Sequence, residues 1–279
     1  MAIKDILLHL DQSPSCGDRI RLSLELASVR DAHVTGIYPA LEPQWPVELH
    51  SHMAAEVLDQ QRQDIREAGQ AKVQGFAGEA LEANVSAEGL VVPCQEGALA
   101  AALARHARCA DLLVLGQSDP DDPLSTPSHL VESVIMASGC PTLLVPYIGY
   151  RETPGERVMV AWDGGRESAR AVTDALPFLS AAESVILLLV DGKSKAANGE
   201  EPGSDLARHL ARHGCRVEVQ SVESGNLSIG DTILSRLADQ AVDLLVMGAY
   251  GHSRLRELVL GGVTRHILGH MTVPVLMSH

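Results

Sequence analysis

In the segment "MGAYGHSRLRELVLGGVT" (residues 247–264), Gly248, Gly251, Gly261 and Gly262 follow the apolar run "AVDLLV". Bare backbone at the end of a buried strand suits one chemistry above others, the holding of an anion against main-chain N–H groups. Gly248 closes the expected strand, and Gly251 permits a turn that costs energy in any residue with a Cβ. Gly261-Gly262 interrupts what would otherwise be one helix from Arg254 to His270. The pattern predicts a short helical turn over 254–260 and a new helix from about Gly262. A new helix N-terminus offers N–H groups and a partial positive charge, which suit a phosphate. A flexible loop with helix-capping glycines is the competing reading.

Other reactive residues converge less well. His209 and His213 stand four apart in "ARHLARHGC", with Cys215 close by. That spacing can hold zinc, but no Glu completes H-E-x-x-H, and a solvated helix face explains it as well. His50 and His52 alternate in "LHSHM" and say less. There is no G-x-S-x-G, Walker A or G-x-G-x-x-G sequence, and no pairing of nucleophile and base stands out. Catalytic residues are therefore not assigned. Cys16, Cys94, Cys109, Cys140 and Cys215 are odd in number, scattered and without C-x-x-C. They are expected to be reduced and free of metal.

The elements that must position the glycines come in two copies. "ADLLVLG" (110–116) matches "VDLLVMG" (242–248), and "ILLHLD" (6–11) matches "VMVAWD" (158–163). Each half closes on a short strand after a proline, "PTLLVP" (141–146) and "PVLMSH" (274–279). Two domains, 1–148 and 155–279, joined near "YIGYRETPGER", account for this. Strands are expected near 3–10, 32–38, 86–92, 111–116 and 141–146, then near 157–162, 183–190, 215–222, 242–248 and 273–277. Helices fall between them, near 15–30, 47–82, 96–108 and 127–138, then near 166–180, 204–213, 229–240 and 263–270. Strands such as "DLLVMG" are apolar on both faces, as central parallel strands are. The alternation predicts a doubly wound α/β fold with right-handed crossovers.

Composition narrows the partners. The net charge of −14 gives no basic field for nucleic acid, and 3% aromatic residues leave few stacking platforms. No apolar run approaches the ~20 residues needed to span a bilayer. "MAIKDILLHL" runs straight into a strand-like pattern, so a cytoplasmic protein without a signal peptide is expected, binding neither nucleic acid nor membrane.

G-x2-G-x9-G, met by Gly248, Gly251 and Gly261, resembles the nucleotide-binding signature of the universal stress protein family. "LLVMGAYGHSRLRELVLGGVTRHILGHMTVPVLM" is similar to the end of such a domain and "VMVAWDGGRESARAV" to its start. The resemblance covers the second half end to end and the first half more weakly. It implies a five-stranded parallel sheet of order 3-2-1-4-5 in each of two tandem domains, flanked by helices. It implies that Asp163 and Val190 meet ribose and adenine, and that Met247, Gly248, Gly251, Gly261, Gly262 and Val263 line the phosphate loop. By the residues alone, Asp163 serves equally as a helix N-cap and Val190 as plain core.

The resemblance implies a stress-response regulatory protein binding ATP or a related adenine nucleotide, with Mg2+ as companion, in its second domain. The first domain would be structural, and the two would form an intramolecular pseudo-dimer through their fifth strands, with homodimerisation a further expectation. An ATP-hydrolysing or ATP-using enzyme of the same α/β class, or a nucleotide-free interaction protein, are the alternatives. Two departures matter. Gly262 stands where the family often has Ser or Thr, with Thr264 two residues on. In the first half the loop after Gly116 reads "QSDPDDPLSTPSH", with acid and proline where glycine is needed, so no nucleotide is expected there.

Overall fold

The computed structural model describes residues 2–42, 55–150, 153–192, 203–250 and 262–279. Two compact units divide between Cys140 and Pro141.

The first unit, Ile3–Cys140, holds β1 (Asp5–His9), β2 (His33–Glu42), β3 (Ala87–Gln95) and β4 (Leu112–Gly116). Between them lie α1 (Cys16–Arg30), α2 (Ala55–Glu82) and α3 (Leu99–Ala107), and α4 (Ser128–Ser138) follows β4. The strands are parallel, in the order β3-β2-β1-β4. Leu112, Leu113, Val114 and Leu115 are fully buried, so both faces of β4 are covered and its unbroken apolar sequence is satisfied.

β2 and β3 overrun the ends expected near residues 38 and 92, continuing through Pro39 and Pro93 to Glu42 and Gln95. The ladder from β2 to β1 stops at Ile37, so Pro39 lies beyond it and removes no donor from β1. The result is a two-stranded ribbon projecting past the carboxyl end of β1. Helix α2 seats on this ribbon through bare glycines. A Cβ on Gly36 would come within 2.8 Å of the Phe76 ring, one on Gly69 within 2.7 Å of Tyr38, and one on Gly89 within 2.3 Å of Val73. Those contacts set how closely the helix lies on the strands. The expected start of this helix, at 47–54, lies outside the described residues.

The second unit holds β5 (Thr142–Val145), β6 (Arg157–Ala161), β7 (Ser184–Val190), β8 (Val217–Val222), β9 (Leu244–Gly248) and β10 (Val275–Ser278). Its helices are α5 (Arg166–Leu179), α6 (Ser204–Arg212), α7 (Ile229–Asp239) and α8 (Val263–His270). β8-β7-β6-β9-β10 run parallel, giving the expected 3-2-1-4-5 order in full. β5, the last strand of the first repeat, belongs to this unit and runs antiparallel to β10, with Leu143 opposite Leu276. The fold is α/β, with doubly wound parallel strands in each unit.

The repeated aspartate of "ADLLVLG" and "VDLLVMG" has a job at the amino ends of the strands, far from the glycines. The Asp243 carboxylate accepts the N–H groups of Gly155, Glu156 and Arg157 at 2.8–2.9 Å. Asp111 accepts those of Lys4 and Asp5 at 2.8 and 3.1 Å. Each clamps the first strand of its repeat to the fourth. Among the described residues, no helix is long and apolar enough to cross a membrane. All five cysteines are free; Cys16, Cys140 and Cys215 are buried, and Cys109 is exposed.

Candidate functional site

In the second unit, the carboxyl ends of β6, β7 and β9 meet the N-termini of α5 and α8. A cavity of about 150 Å³ opens there, lined by Asp163, Val190, Met247, Gly248 and Val263 among the residues expected from sequence. Gly262 stands at its edge as the N-cap of α8, with φ −54° and ψ 153° and no side chain capping the helix. The new helix therefore begins where the Gly-Gly interruption predicts. Gly251, Gly261 and the turn expected at 254–260 lie outside the described residues.

Asp163 is exposed, and its Oδ1 accepts from the Gly165 N–H at 2.8 Å and from Ser168 Oγ at 2.6 Å. The carboxylate is thus fixed over the first turn of α5 by the turn that leaves β6. Gly164, at φ 77°, takes the left-handed conformation that this turn needs. Val190 is half-buried at the end of β7, and Met247 is buried at the end of β9.

Gly248 has a packing role of its own. A Cβ there would lie 2.4 Å from the Ser168 nitrogen and 2.6 Å from the Glu167 carbonyl carbon. The first turn of α5 therefore rests directly on the end of β9. The bare Cα lets helix backbone approach, whatever else it does for a ligand.

Sequence reasoning overlooked several lining residues: Trp162, Ser168, Ile229 and Ile233. Ile229 and Ile233, one helical turn apart on α7, give the only pattern that could have flagged them. Thr264, which the sequence left without a direction, is buried, and its Oγ1 accepts the Tyr250 N–H at 3.3 Å. The wall made by α7 is fixed to α8. Ser228 caps α7 by accepting from Asp231 N at 3.0 Å, and Asp231 Oδ1 meets His266 Nε2 at 2.9 Å. The Ser228 hydroxyl first, helped by His266, holds the Asp231 carboxyl below the usual carboxylate range. The slot is apolar-walled, with one carboxylate at its mouth and an uncapped helix end beside it. It can take an apolar-faced ring that carries hydroxyl groups and a following anion.

The corresponding place in the first unit is wired differently. Asp11 matches Asp163 in the repeat, but its carboxylate is saturated. Oδ1 takes the Ser13 N–H at 3.0 Å, Ser13 Oγ at 2.6 Å and the Arg19 guanidinium at 2.5 Å; Oδ2 takes Thr126 Oγ1 at 3.2 Å. Arg19 is 1% exposed, and Asp11 is held below its usual range. Burial pushes the Asp11 pKa up; Arg19, then His9 and the Ser13 hydrogen bond, together push it further down. The bare Cα of Gly116 admits the Arg19 guanidinium, where a Cβ would lie 2.1 Å from its nitrogen. The following loop uses its own donors. The Asp119 N–H goes to Ser125 Oγ at 3.1 Å, that of Asp121 to Asp119 Oδ1 at 3.0 Å, and that of Leu124 to Asp122 Oδ1 at 2.9 Å. Backbone amides that a phosphate would require are here given to carboxylates and a hydroxyl.

His209 of α6 and His213, which caps its carboxyl end, pack edge to face, 4.8 Å apart. No group of three or more metal-ligating side chains gathers among the described residues.

A sheet of order 3-2-1-4-5 with a crevice beyond the carboxyl ends of its first and fourth strands defines a doubly wound α/β domain open at its switch point. Residues 155–279 match the family described as the universal stress protein family. Residues 155–279 therefore carry a domain of the universal stress protein family. A universal stress protein of Synechocystis is 27% identical over 177 residues, a match covering 60% of this chain and 57% of that relative's length. Among solved structures, a universal stress protein from Archaeoglobus fulgidus superposes with a TM-score of 0.76 at 14% identity, over 98% of this chain and 95% of that one. A functionally unknown protein from Pseudomonas aeruginosa gives 0.58 at 17% identity, over 99% and 92%. At these identities the structural likeness is one of fold.

Proposed function

We propose that the second unit binds ATP or a related adenine nucleotide and that the chain is a nucleotide-responsive regulatory protein of the stress response. One observation carries the reading: Asp163, Val190, Met247, Gly248 and Val263 share a single cavity beside the uncapped N-terminus of α8. In this reading Asp163 accepts from the ribose hydroxyls, and Val190, Met247 and Ile233 form the wall for adenine. The phosphates lie over Gly262 and Val263, with Gly251 and Gly261 in the same loop. Mg2+ accompanies the phosphates rather than occupying a site of its own. Hydrolysis is no part of the proposal. A cytoplasmic location and an intramolecular pseudo-dimer through the fifth strands belong to it as well.

The test is denaturation of the purified full chain and identification of any nucleotide released, followed by titration with ATP and magnesium. Bound nucleotide should raise the stability of the second unit by RT ln(1 + [L]/Kd), about 2.7 kcal/mol at a hundredfold excess over Kd. Gly251→Val and Gly261→Val should abolish the effect by placing a branched side chain in the loop, and Asp119→Ala in the first unit should leave it intact. No released nucleotide and no shift at millimolar ATP would refute the reading.

A further inference from the structure

The larger of the two cavities described lies in the first unit, at about 590 Å³. Its size is that of a pocket for a whole small molecule. Leu10, Tyr38, Leu99 and Leu130 supply buried apolar walls, each 8% exposed or less. The ribbon of β2 and β3, running past β1, adds Pro39 and Leu41 on one side; α2 adds Ile65 and Ala68 above it. The overrun of β2 through Pro39 thus supplies one wall of the space.

The polar groups of the floor are mostly committed. Asp11 is saturated by Ser13, Arg19 and Thr126, and its charge is cancelled by the buried guanidinium. Gln12 Nε2 donates to the Tyr38 hydroxyl at 3.0 Å. The exception is His9, 2% exposed and lining the cavity. Its single hydrogen bond among the described residues is a long one, Nδ1 to Thr126 Oγ1 at 3.5 Å. Thr126 donates its own proton to Asp11 Oδ2, so its oxygen receives the Nδ1 proton and Nε2 carries the lone pair. Nε2 is not among the fully enclosed side-chain atoms left without a partner, so it is open to the cavity, where a donor on a ligand can reach it. Burial, outweighing the attraction of Asp11, drives the His9 pKa down to about 4, so the ring is neutral at pH 7 and offers no charge to an anion. The loop of residues 119–125 spends backbone donors on itself and carries Asp119, Asp121 and Asp122, which repel one.

We infer that this cavity binds an uncharged amphipathic small molecule, its apolar body between the β2–β3 ribbon, α2 and α3, and its hydroxyl or amide donor on His9 Nε2. The first unit is then a second ligand-binding domain, with a ligand class different from that of the second. This assignment is independent of nucleotide binding.

The experiment uses the full chain, with decan-1-ol and decanamide as probes and decanoate as the charged control. Calorimetry and displacement of the neutral dye Nile red give the affinities. Both uncharged probes should bind one per chain, decanoate at least tenfold more weakly. Ala100→Phe and Ala68→Trp, both filling the cavity from its wall, should each weaken decanol at least tenfold while circular dichroism stays unchanged. His9→Phe should weaken decanol and decanamide about tenfold, the worth of one hydrogen bond, and leave Nile red bound. Absence of one-to-one binding by either uncharged probe overturns the proposal. So does undiminished binding in both filled variants, or displacement of decanol by ATP. Equal loss of probe and dye in His9→Phe overturns the role of His9 as the head-group acceptor.

Discussion

Lowering the pH from 7.5 to 4.5 should loosen the first unit selectively, through one residue. His9 is buried, and burial is the largest influence on it, moving its pKa from 6.5 to about 4. Asp11 opposes the shift and Arg19 adds to it; Tyr38, Asp64 and His129 are the other titratable side chains lining the same cavity. The folded value lies below the unfolded one, so the unfolded chain takes up the proton first as pH falls. Stability is therefore fully present above about pH 6.5 and is lost progressively until about pH 4, where both states are protonated. At 1.36 kcal/mol per unit, a group moved this far costs roughly 2.5 kcal/mol by pH 4.5. Asp11, whose pKa is depressed, acts in a separate and lower window: its contribution is held above 3.8 and goes only as pH falls through its folded value. Hydrogen–deuterium exchange at β1 and β4, corrected for intrinsic rates, reads the loss. The amides of β6 and β9 in the same sample serve as control. His9→Gln, which cannot titrate, should remove most of the pH dependence between 6.5 and 4.5. If wild type and His9→Gln lose protection in parallel, the burial argument is wrong.

Other substitutions test the packing. Gly248→Ala should destabilise the second unit by about 1–3 kcal/mol in urea unfolding, because the added Cβ meets the α5 backbone, which cannot rotate away as a side chain can. Arg19→Met should cost the first unit about 3–5 kcal/mol by leaving Asp11 buried without its counter-ion, and a second change, Asp11→Asn, should recover much of that. Asp243→Ala should cost roughly 1.5–3 kcal/mol, seen as faster exchange at Gly155, Glu156 and Arg157, whose N–H groups lose their carboxylate.

Much of the fold is legible because its signals are local. Strands such as "DLLVMG" are apolar throughout, since helices cover both faces, and the two copies of the motif announce the repeat. The helix start at Gly262 is legible for the same reason, as Gly-Gly stops one helix wherever it lies. The overrun of β2 and β3 is not local. Pro39 looks like a strand end until it is known that β1 has already stopped at His9, opposite Ile37. Nor is the role of Gly248 visible in its own segment, because its partner is the backbone of Glu167 and Ser168, some eighty positions away. His9 passed unnoticed inside "ILLHL", where a lone histidine in an apolar run reads as core. Its burial agrees with that reading, but the cavity beside it does not follow from any spacing in the sequence.

The repeat shows how one backbone plan separates two chemistries with few residues. Gly116 and Gly248 both end a fourth strand, and both are bare because something presses on them. In the second unit that neighbour is the first turn of α5, which leaves Asp163 exposed at the mouth of a narrow slot. In the first it is the Arg19 guanidinium, which neutralises Asp11 and draws it into the floor. The position that matches Arg19 along the second helix start is Ala171, which is fully buried and carries no charge. A carboxylate facing water can accept from ligand hydroxyls; one spent on a buried arginine cannot. With the charge of Asp11 cancelled and the following loop bonded to itself, the floor of the first unit's cavity offers the lone pair of His9 beneath a wide apolar space. The same argument sets the expected asymmetry of the full chain: polar, anionic ligands at the second crevice, and uncharged, apolar ones at the first.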